Sequence, residues 1–183
     1  MVYTMQDYIQ LLDHLSIGII VIDQRLNIIF WNRWMSEHSM MELDKVKSRP
    51  IHEIFPDLGH TGFVTKANQV LETGQPAFFS HKIHQNMFPF HSGRSYLEKK
   101  LSRMHQSVIL SPLKDKQGVT ENILISVFDI TDWIVYQNQL LKSKKDLEKL
   151  SCIDDLTQIP NRRNIMDKLR EELIVNSRKK RPM

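Results

Sequence analysis

The strongest constraint on the fold is the placement of short β-branched and aromatic segments on both sides of a helical middle. Each segment has the length and composition of a single β-strand, and polar turns separate neighbouring segments. The predicted strands are residues 17–23, 27–32, 77–83, 105–113 and 119–130. Two early strands and three late strands around helices indicate one antiparallel sheet with helices on one face, an α+β fold.

The segment between the two groups of strands is predicted to be helical and interrupted. Residues 33–59 break into short helical pieces, because Pro50 and Pro56 lack a backbone N–H and clash with a preceding turn. The clearest helix is predicted over residues 61–74, where Gly74 provides the stop. Its apolar face carries Phe63, Ala67, Val70 and Leu71.

Two more helices are predicted, one before the first strand and one after the last. Residues 4–15 have apolar side chains at helical spacing after Thr4, which is a suitable cap. Residues 132–152 have apolar side chains seven apart, the spacing of a short coiled coil. These side chains are Trp133, Leu140 and Leu147. We expect a homodimer through this helix, against the alternative of a single amphipathic helix packed on its own domain.

Composition limits the class of protein. The chain is 41% apolar, as in ordinary globular proteins, and its one cysteine, Cys152, excludes an internal disulfide. The N-terminus lacks the pattern of a signal peptide. The longest apolar run, IGIIVI, is far shorter than the ~20 residues that a membrane span needs. We therefore expect a cytoplasmic protein with no membrane segment in this chain.

The net charge of +4 raises nucleic-acid binding as a function. The excess of cations is concentrated in KSKKDLEK at 142–149 and in RKKR at 178–181. Such runs are typical of solvated helix faces and of helix ends. They come without zinc-ligand spacing, a helix-turn-helix turn or an aromatic-basic RNA motif, so no nucleic-acid partner is expected.

The order of the predicted elements resembles that of PAS sensor domains over roughly residues 8–131. The resemblance is carried by GIIVIDQRLNIIFWN for the first hairpin, IHEIFPDLG before the long helix and ILISVFDIT for the last strand. In that family the final Asp-Ile-Thr triplet ties the last strand to the output helix, which implies signal coupling through Asp129 and Thr131, followed by the helix residues Trp133, Leu140 and Leu147. A plain strand-to-helix cap uses the same side chains, and the two interpretations are compatible.

The stretch CIDDLTQIPNRRNIMDKLREEL resembles the opening motif of GGDEF domains, the diguanylate cyclases. The matching residues are Asp154, Leu156, Thr157, Ile159, Asn161, Arg162 and Arg163. The resemblance implies that Asn161 contacts the guanine of GTP and that the other positions pack the linker onto the domain. Arg170 stands where that family usually has a second, acidic guanine contact, with Glu171 beside it. Either the register differs by one residue or base recognition is altered, so Asn161 alone is carried over as a substrate residue.

These resemblances imply a PAS sensor at residues 1–131, a signalling helix at 132–152 and the first helix of a truncated GGDEF domain at 153–183. No two of the six glycines are adjacent, so the Gly-Gly-Asp/Glu-Glu-Phe loop is absent. The carboxylates that would hold Mg²⁺ are also expected to lie outside this chain, so we expect no catalytic residue here. The implied function is the regulatory region of a parent diguanylate cyclase, which converts two GTP to cyclic di-GMP.

The sequence also leaves open whether the sensor domain holds a ligand, and which one. The candidate pocket residues are Trp31, Trp34, Phe63, Ala67 and Val70, which would equally fill a solid core. Haem and flavin are candidates, and a stand-alone haem- or flavin-binding redox or gas sensor is the alternative function. His60 is the haem candidate, whereas His81 and His84 are predicted to point to opposite faces of one strand and not to share a metal. A colourless small molecule, or no ligand, is the remaining alternative.

Overall fold

A five-stranded antiparallel sheet forms the centre of the computed structural model, with the strand order β2-β1-β5-β4-β3. The structure describes residues 4–84, 87–92 and 103–150, together with 165–166, 169–170 and 172–173. The strands are β1 (Gly18–Asp23), β2 (Ile28–Trp31), β3 (Ala77–Phe79), β4 (Gln106–Lys114) and β5 (Thr120–Asp129). The predicted α+β class and five-stranded antiparallel sheet are confirmed.

Helices connect β2 to β3, as the interrupted pattern predicts. The helices of the whole described chain are α1 (Met5–Asp13), α2 (Arg33–Ser39), α3 (Leu43–Val46), α4 (Ile51–Ile54), a 3₁₀ helix (Pro56–His60), α5 (Phe63–Thr73) and α6 (Thr131–Leu150). Pro56 begins the 3₁₀ helix, where its missing N–H is not needed. Gly74 ends α5 in the left-handed conformation, with φ of 62°, which glycine adopts without strain.

One prediction about the sheet is wrong. The strand expected over residues 77–83 ends at Phe79, because the carbonyl of Ser80 accepts hydrogen bonds from the N–H groups of Ile83 and His84 at 3.1 and 2.9 Å. Residues 81–83 therefore form a turn. His81 and His84 do not alternate across a strand, and the argument that placed them on opposite faces of the sheet does not apply.

The core lies between one face of the sheet and the helices. Alternate residues of the strands point into it, as the two-residue period of a strand requires. Examples are Ile20, Ile22, Val108, Leu110, Ile123, Ile125 and Val127. Helix α5 packs against β4 and β5 and buries Phe63, Ala67 and Val70. The side chain of each of these three residues is completely buried.

Helix α1 begins with a reciprocal cap. The Thr4 hydroxyl accepts a hydrogen bond from the N–H of Asp7 at 3.3 Å, and the Asp7 carboxylate accepts one from the N–H of Thr4 at 2.7 Å. The hydrogen bonds from the Thr4 side chain and backbone hold the pKa of the Asp7 carboxyl below its usual value. All residues of α1 are described, and none is buried.

The chain divides into two compact units, Met1–Ile134 and Val135–Met183. The coiled-coil positions Trp133, Leu140 and Leu147 all lie on α6, and their exposed fractions are 54%, 71% and 67%. The GGDEF-like positions Asp154, Leu156, Thr157, Asn161, Arg162 and Arg163 lie outside the described residues. None of the helices in the described part of the chain combines the length and the apolar content needed to span a membrane.

Candidate functional site

The junction between β5 and α6 is fixed by the two side chains that the sequence singled out. The Asp129 carboxylate accepts hydrogen bonds from the N–H of Thr131 at 2.9 Å and from the hydroxyl of Ser92 at 3.2 Å. The buried Thr131 hydroxyl accepts the N–H of His105 at 2.9 Å, and the carbonyl of His105 accepts the N–H of Ile130 at the same distance. The first residue of α6 is therefore bound to the chain just before β4, which is more than a plain helix cap provides.

Aromatic rings surround this junction. The ring centroid of His81 lies 6.2 Å from that of Trp133 and 6.5 Å from that of His105, and both pairs meet edge to face. The predicted coupling residue Trp133 thus contacts the turn that follows β3. A buried oxygen of the neighbouring Asp132 has no hydrogen-bond partner among the described residues.

The five candidate pocket residues all lie in one hydrophobic core, but they fall into two groups. Trp31 and Trp34 belong to β2 and α2, whereas Phe63, Ala67 and Val70 belong to α5. Trp34 stacks on His38 at 3.7 Å and meets the edge of Phe90 at 6.0 Å. The ring of Phe63 stacks on Phe79 at 6.1 Å, on the side of the core formed by α5 and β3. Trp31 contacts Phe55 at 6.4 Å, and its indole N–H has no hydrogen-bond partner in the described part of the chain.

A segment that the sequence assigns to a polar loop contributes to this core. Phe88 and Phe90 are buried, stack on each other at 5.4 Å and meet the ring of Phe55 edge to face. Gln106, which is 2% exposed, accepts the N–H of Phe88 at 2.9 Å and donates to its carbonyl at 2.8 Å. The signal for this arrangement is the alternation of aromatic residues around Pro89, followed by a lone amide at the start of an apolar strand.

Asn32 is a second buried amide that the sequence analysis did not select. Its Nδ2 group donates to the carbonyls of Leu12 and Ile17, both at 2.9 Å. Its Oδ1 atom accepts the N–H of Ile19 at 3.0 Å and that of Met35 at 3.3 Å. One side chain therefore joins the last turn of α1 to β1 and caps α2, and the detectable signal is an asparagine between a strand and a helix.

The described residues do not assemble the haem or metal sites that the sequence analysis considered. His60 is exposed at the end of the 3₁₀ helix, so the fold does not bring it to the core residues. Within the part of the chain that the structure describes, no three His, Cys, Asp or Glu side chains are grouped closely enough to hold a metal ion.

Comparisons with known proteins agree with the architecture. No curated protein matches the chain. The PAS domain of BvgS from Bordetella pertussis has a TM-score of 0.52 and 18% identity, over 79% of this chain and 96% of that chain. An RNA-binding light-oxygen-voltage receptor has a TM-score of 0.50 and 15% identity, over 78% of this chain and 36% of that chain.

A sensory box sensor histidine kinase from Vibrio cholerae has a TM-score of 0.47 and 18% identity, over 67% of this chain and 87% of that chain. At these identities, the likenesses with TM-scores of 0.50 and 0.52 concern the fold alone. A family model described as the PAS fold matches residues 12–133, from the end of α1 to the start of α6. This match covers more than half of the chain, which therefore belongs to the PAS-fold family.

Proposed function

We propose that this chain is the sensory and transmission region of a diguanylate cyclase. In this proposal, a signal received by the PAS domain at residues 1–131 changes the register or pitch of a dimeric helix at 132–152. That change brings two GGDEF domains into or out of contact, and the two half-sites convert two GTP to cyclic di-GMP when apposed. The GTP substrate and the second-messenger product are consistent with a cytoplasmic protein.

The observation that carries the transmission step is the hydrogen-bonded junction at the start of α6. Asp129 and Thr131 connect the end of β5, the chain before β4 and the first turn of the helix. A displacement of either strand therefore acts directly on the helix, because the Thr131 hydroxyl and the Asp129 carboxylate hold backbone groups. The link to a cyclase rests on the resemblance of residues 154–163 to the GGDEF opening motif.

The input is proposed to be a small molecule or a redox signal that acts on the aromatic core. Two features support this choice. The indole N–H of Trp31 is buried and has no acceptor among the residues that the structure describes, and a buried donor of this kind is normally satisfied by a protein group, a water or a ligand. Gln106, the first residue of β4, holds the Phe88–Phe90 segment through two hydrogen bonds to Phe88. A displacement of that segment would therefore reach β4, and the residue before β4 is bound to Thr131.

The output is proposed to be a homodimer formed through α6. Leu140 and Leu147 expose most of their side chains, and a leucine gains about 1.5–3 kcal/mol when it is fully buried. Tyr136, Ser143 and Leu150 form a second row at the same seven-residue spacing, and Ser143 interrupts it, so the coiled coil is short and its register can be changed at modest cost. In the complete cyclase domain, Mg²⁺ would neutralise the triphosphate, and Asn161 would contact the guanine.

The experiment that tests this proposal is a helical-phase series. A chimaera joins residues 1–153 to the catalytic domain of an active diguanylate cyclase, and one to seven residues are deleted within 141–149. Each deletion rotates the output by about 100°, so cyclic di-GMP formation should fall with one or two deletions and recover near seven, two full turns.

The matched control keeps the helix length and removes the seam. Leu140→Asp with Leu147→Asp should make the chimaera monomeric in sedimentation and lower its cyclase rate. The proposal of transmission through α6 fails if activity is the same for every deletion length. It also fails if the double variant is monomeric and fully active.

A further inference from the structure

The imidazole of His38 lies between the last turn of α2 and the aromatic core. Its ring is stacked on the indole of Trp34, with the centroids 3.7 Å apart and the planes inclined by 19°. A second aromatic neighbour is Phe90, whose ring centroid lies 6.1 Å from that of His38. A half-buried titratable ring therefore borders the core that the proposed function treats as the input.

The hydrogen bond of His38 determines which of its ring nitrogens titrates. Nδ1 lies 2.8 Å from the backbone carbonyl oxygen of Trp34, one turn earlier in α2. A carbonyl oxygen has no proton to donate, so Nδ1 carries a hydrogen and donates it in both charge states of the ring. The proton that a histidine gains between about pH 8 and pH 5 therefore binds to Nε2, and the bond at Nδ1 is kept.

The surroundings of His38 hold the ring more strongly when it is charged. An imidazolium on the face of an indole gains the attraction between a cation and the ring quadrupole. The bond from Nδ1 to the Trp34 carbonyl becomes charge-assisted. His38 also lies in the last turn of α2, where the carbonyl dipoles favour a cation. The stack on Trp34 is therefore tightened in weak acid and loosened as pH rises and the proton leaves.

Other charged groups near this end of α2 are engaged or exposed. The titratable and charged side chains of α2 and of the segments beside it are Asp13, His14, Arg33, Glu37, Glu42 and His91. Arg33 is bound to the Glu37 and Asp13 carboxylates through its Nε and backbone N–H, both at 2.8 Å. His14, Glu42 and His91 are exposed. Among the described residues no ion pair includes His38, so its aromatic and carbonyl contacts dominate its response to pH.

The indole of Trp34 reaches the sheet on one side and the start of α6 on the other. Gly18 of β1 lets the ring approach the sheet, since a Cβ at that position would lie 2.7 Å from two of the ring carbons. The Trp34 ring meets Phe90 edge to face, and the Phe90 carbonyl accepts the N–H of Met104 at 3.0 Å. The residue after Met104 is bound to Thr131, the first residue of α6.

From this geometry we infer that His38 is a proton sensor. Its protonation on Nε2 in weak acid tightens α2 against β1 and against Phe90, and its deprotonation releases both contacts. The tightening is a property of the PAS domain alone. Its consequence for α6 deepens the proposed function and rests on it, because pH then becomes a further input to the transmission helix.

Urea unfolding of the whole chain at about pH 5 and pH 8 tests the stack. His38→Gln keeps a polar side chain that does not titrate. The unfolding equilibrium constant of the wild type, divided by that of His38→Gln, should be about tenfold lower at the acid pH, as for a cation at a helix end and on an indole face. His52→Gln is the matched control, because His52 also lies in the last turn of a helix but is exposed, and it should keep the wild-type pH dependence.

Tryptophan emission tests the same stack in the folded chain. An imidazolium in contact with an indole quenches its fluorescence, so the emission of the wild type should fall in weak acid. His38→Phe keeps an aromatic ring without a titrating proton and should abolish the fall. An unfolding ratio that is the same at both pH values, or a fall in emission that persists in His38→Phe, would overturn the inference.

The chimaera of residues 1–153 with a cyclase domain separates this inference from the proposed function. The ratio of its cyclase rates at about pH 6 and pH 8 should change in His38→Gln and stay unchanged in His52→Gln. If the deletion series shows transmission but His38→Gln keeps the original ratio, pH is refuted as an input while the proposed function stands. If the deletion series is flat, the proposed function fails, and the unfolding and emission measurements still decide whether His38 senses protons.

Discussion

The amide of Gln106 allows a quantitative test of how the aromatic segment is held in the core. It makes two hydrogen bonds to one residue, accepting the N–H of Phe88 and donating to its carbonyl. Gln106→Glu keeps the size of the side chain and replaces the donor by an oxygen. In the ionised form, the carboxylate still accepts the N–H but faces the carbonyl of Phe88 oxygen to oxygen, while the protonated form restores the donor.

The magnitude follows from this change of protonation. Burial and the facing carbonyl both disfavour the charged form, so the pKa of the introduced carboxyl should rise by about 2 units, equivalent to ~3 kcal/mol. The pKa of this carboxyl is near 4.3 in the unfolded chain and is raised in the folded state. Its contribution to the free energy of unfolding is therefore complete below about pH 4.3 and is lost as pH rises through the folded-state pKa. The penalty of Gln106→Glu should therefore be under about 1 kcal/mol near pH 4 and about 3 kcal/mol near pH 8.

Urea unfolding of the variant and the wild type at matched pH values measures this penalty, because the other titrating groups cancel in the difference. Gln106→Leu is the control. It does not titrate and leaves the N–H of Phe88 unpaired, while the Phe88 carbonyl keeps the N–H of Phe90 at 2.8 Å, so it should cost about 1–3 kcal/mol at every pH. A difference between Gln106→Glu and wild type that stays constant across this pH range would refute the paired hydrogen bonds and their burial.

Three further changes test other parts of the molecule. Thr131→Val should lower the free energy of unfolding by about 1–3 kcal/mol, because the N–H of His105 loses its buried acceptor, whereas Thr131→Ser should cost under about 1 kcal/mol. Urea unfolding measures both losses, and equal losses would contradict the hydrogen bond between His105 and Thr131. Gly18→Ala should cost about 1–3 kcal/mol in thermal unfolding, since its Cβ would lie 2.7 Å from side-chain atoms of α2, while Gly59→Ala has open space and should be neutral. The start of α1 should fray in acid, because the pKa of Asp7 is lowered in the folded state. The stabilisation that its carboxylate gives to the helix is complete above the ordinary carboxyl pKa and is lost as pH falls through the lowered value. Amide chemical shifts should follow this fraying, and Asp7→Asn should abolish the response.

Periodicity was sufficient to predict the sheet and α5, because those elements bury one face along their whole length. The alternation of residues 119–130 and the apolar face that carries Phe63 and Val70 are direct consequences of that burial. The end of β3 could not be predicted in the same way. It depends on the Ser80 carbonyl accepting two N–H groups, and no periodic pattern marks such a turn.

The candidate site shows the same division. Asp129 and Thr131 were identifiable because a resemblance pointed to them, and their hydrogen bonds are local or reach the adjacent strand. Gln106 and the long-range bonds of Asn32 were missed because their partners are distant along the chain and are backbone groups, which leave no trace in side-chain composition.

The way in which Asn32 holds α1 has a consequence for what can precede the PAS domain. The amide contacts the carbonyl oxygen of Leu12, and every residue type supplies that atom. This bond is therefore indifferent to the side chain of Leu12, whereas the Asp13 carboxylate holds the same turn by accepting the N–H of Arg33 at 2.8 Å. The helix ahead of Asp13 can be rewritten, or fused to another module, without altering these two attachments. Different upstream segments can therefore be joined to the amino end of this domain while Asn32 and Asp13 hold its last helical turn in place.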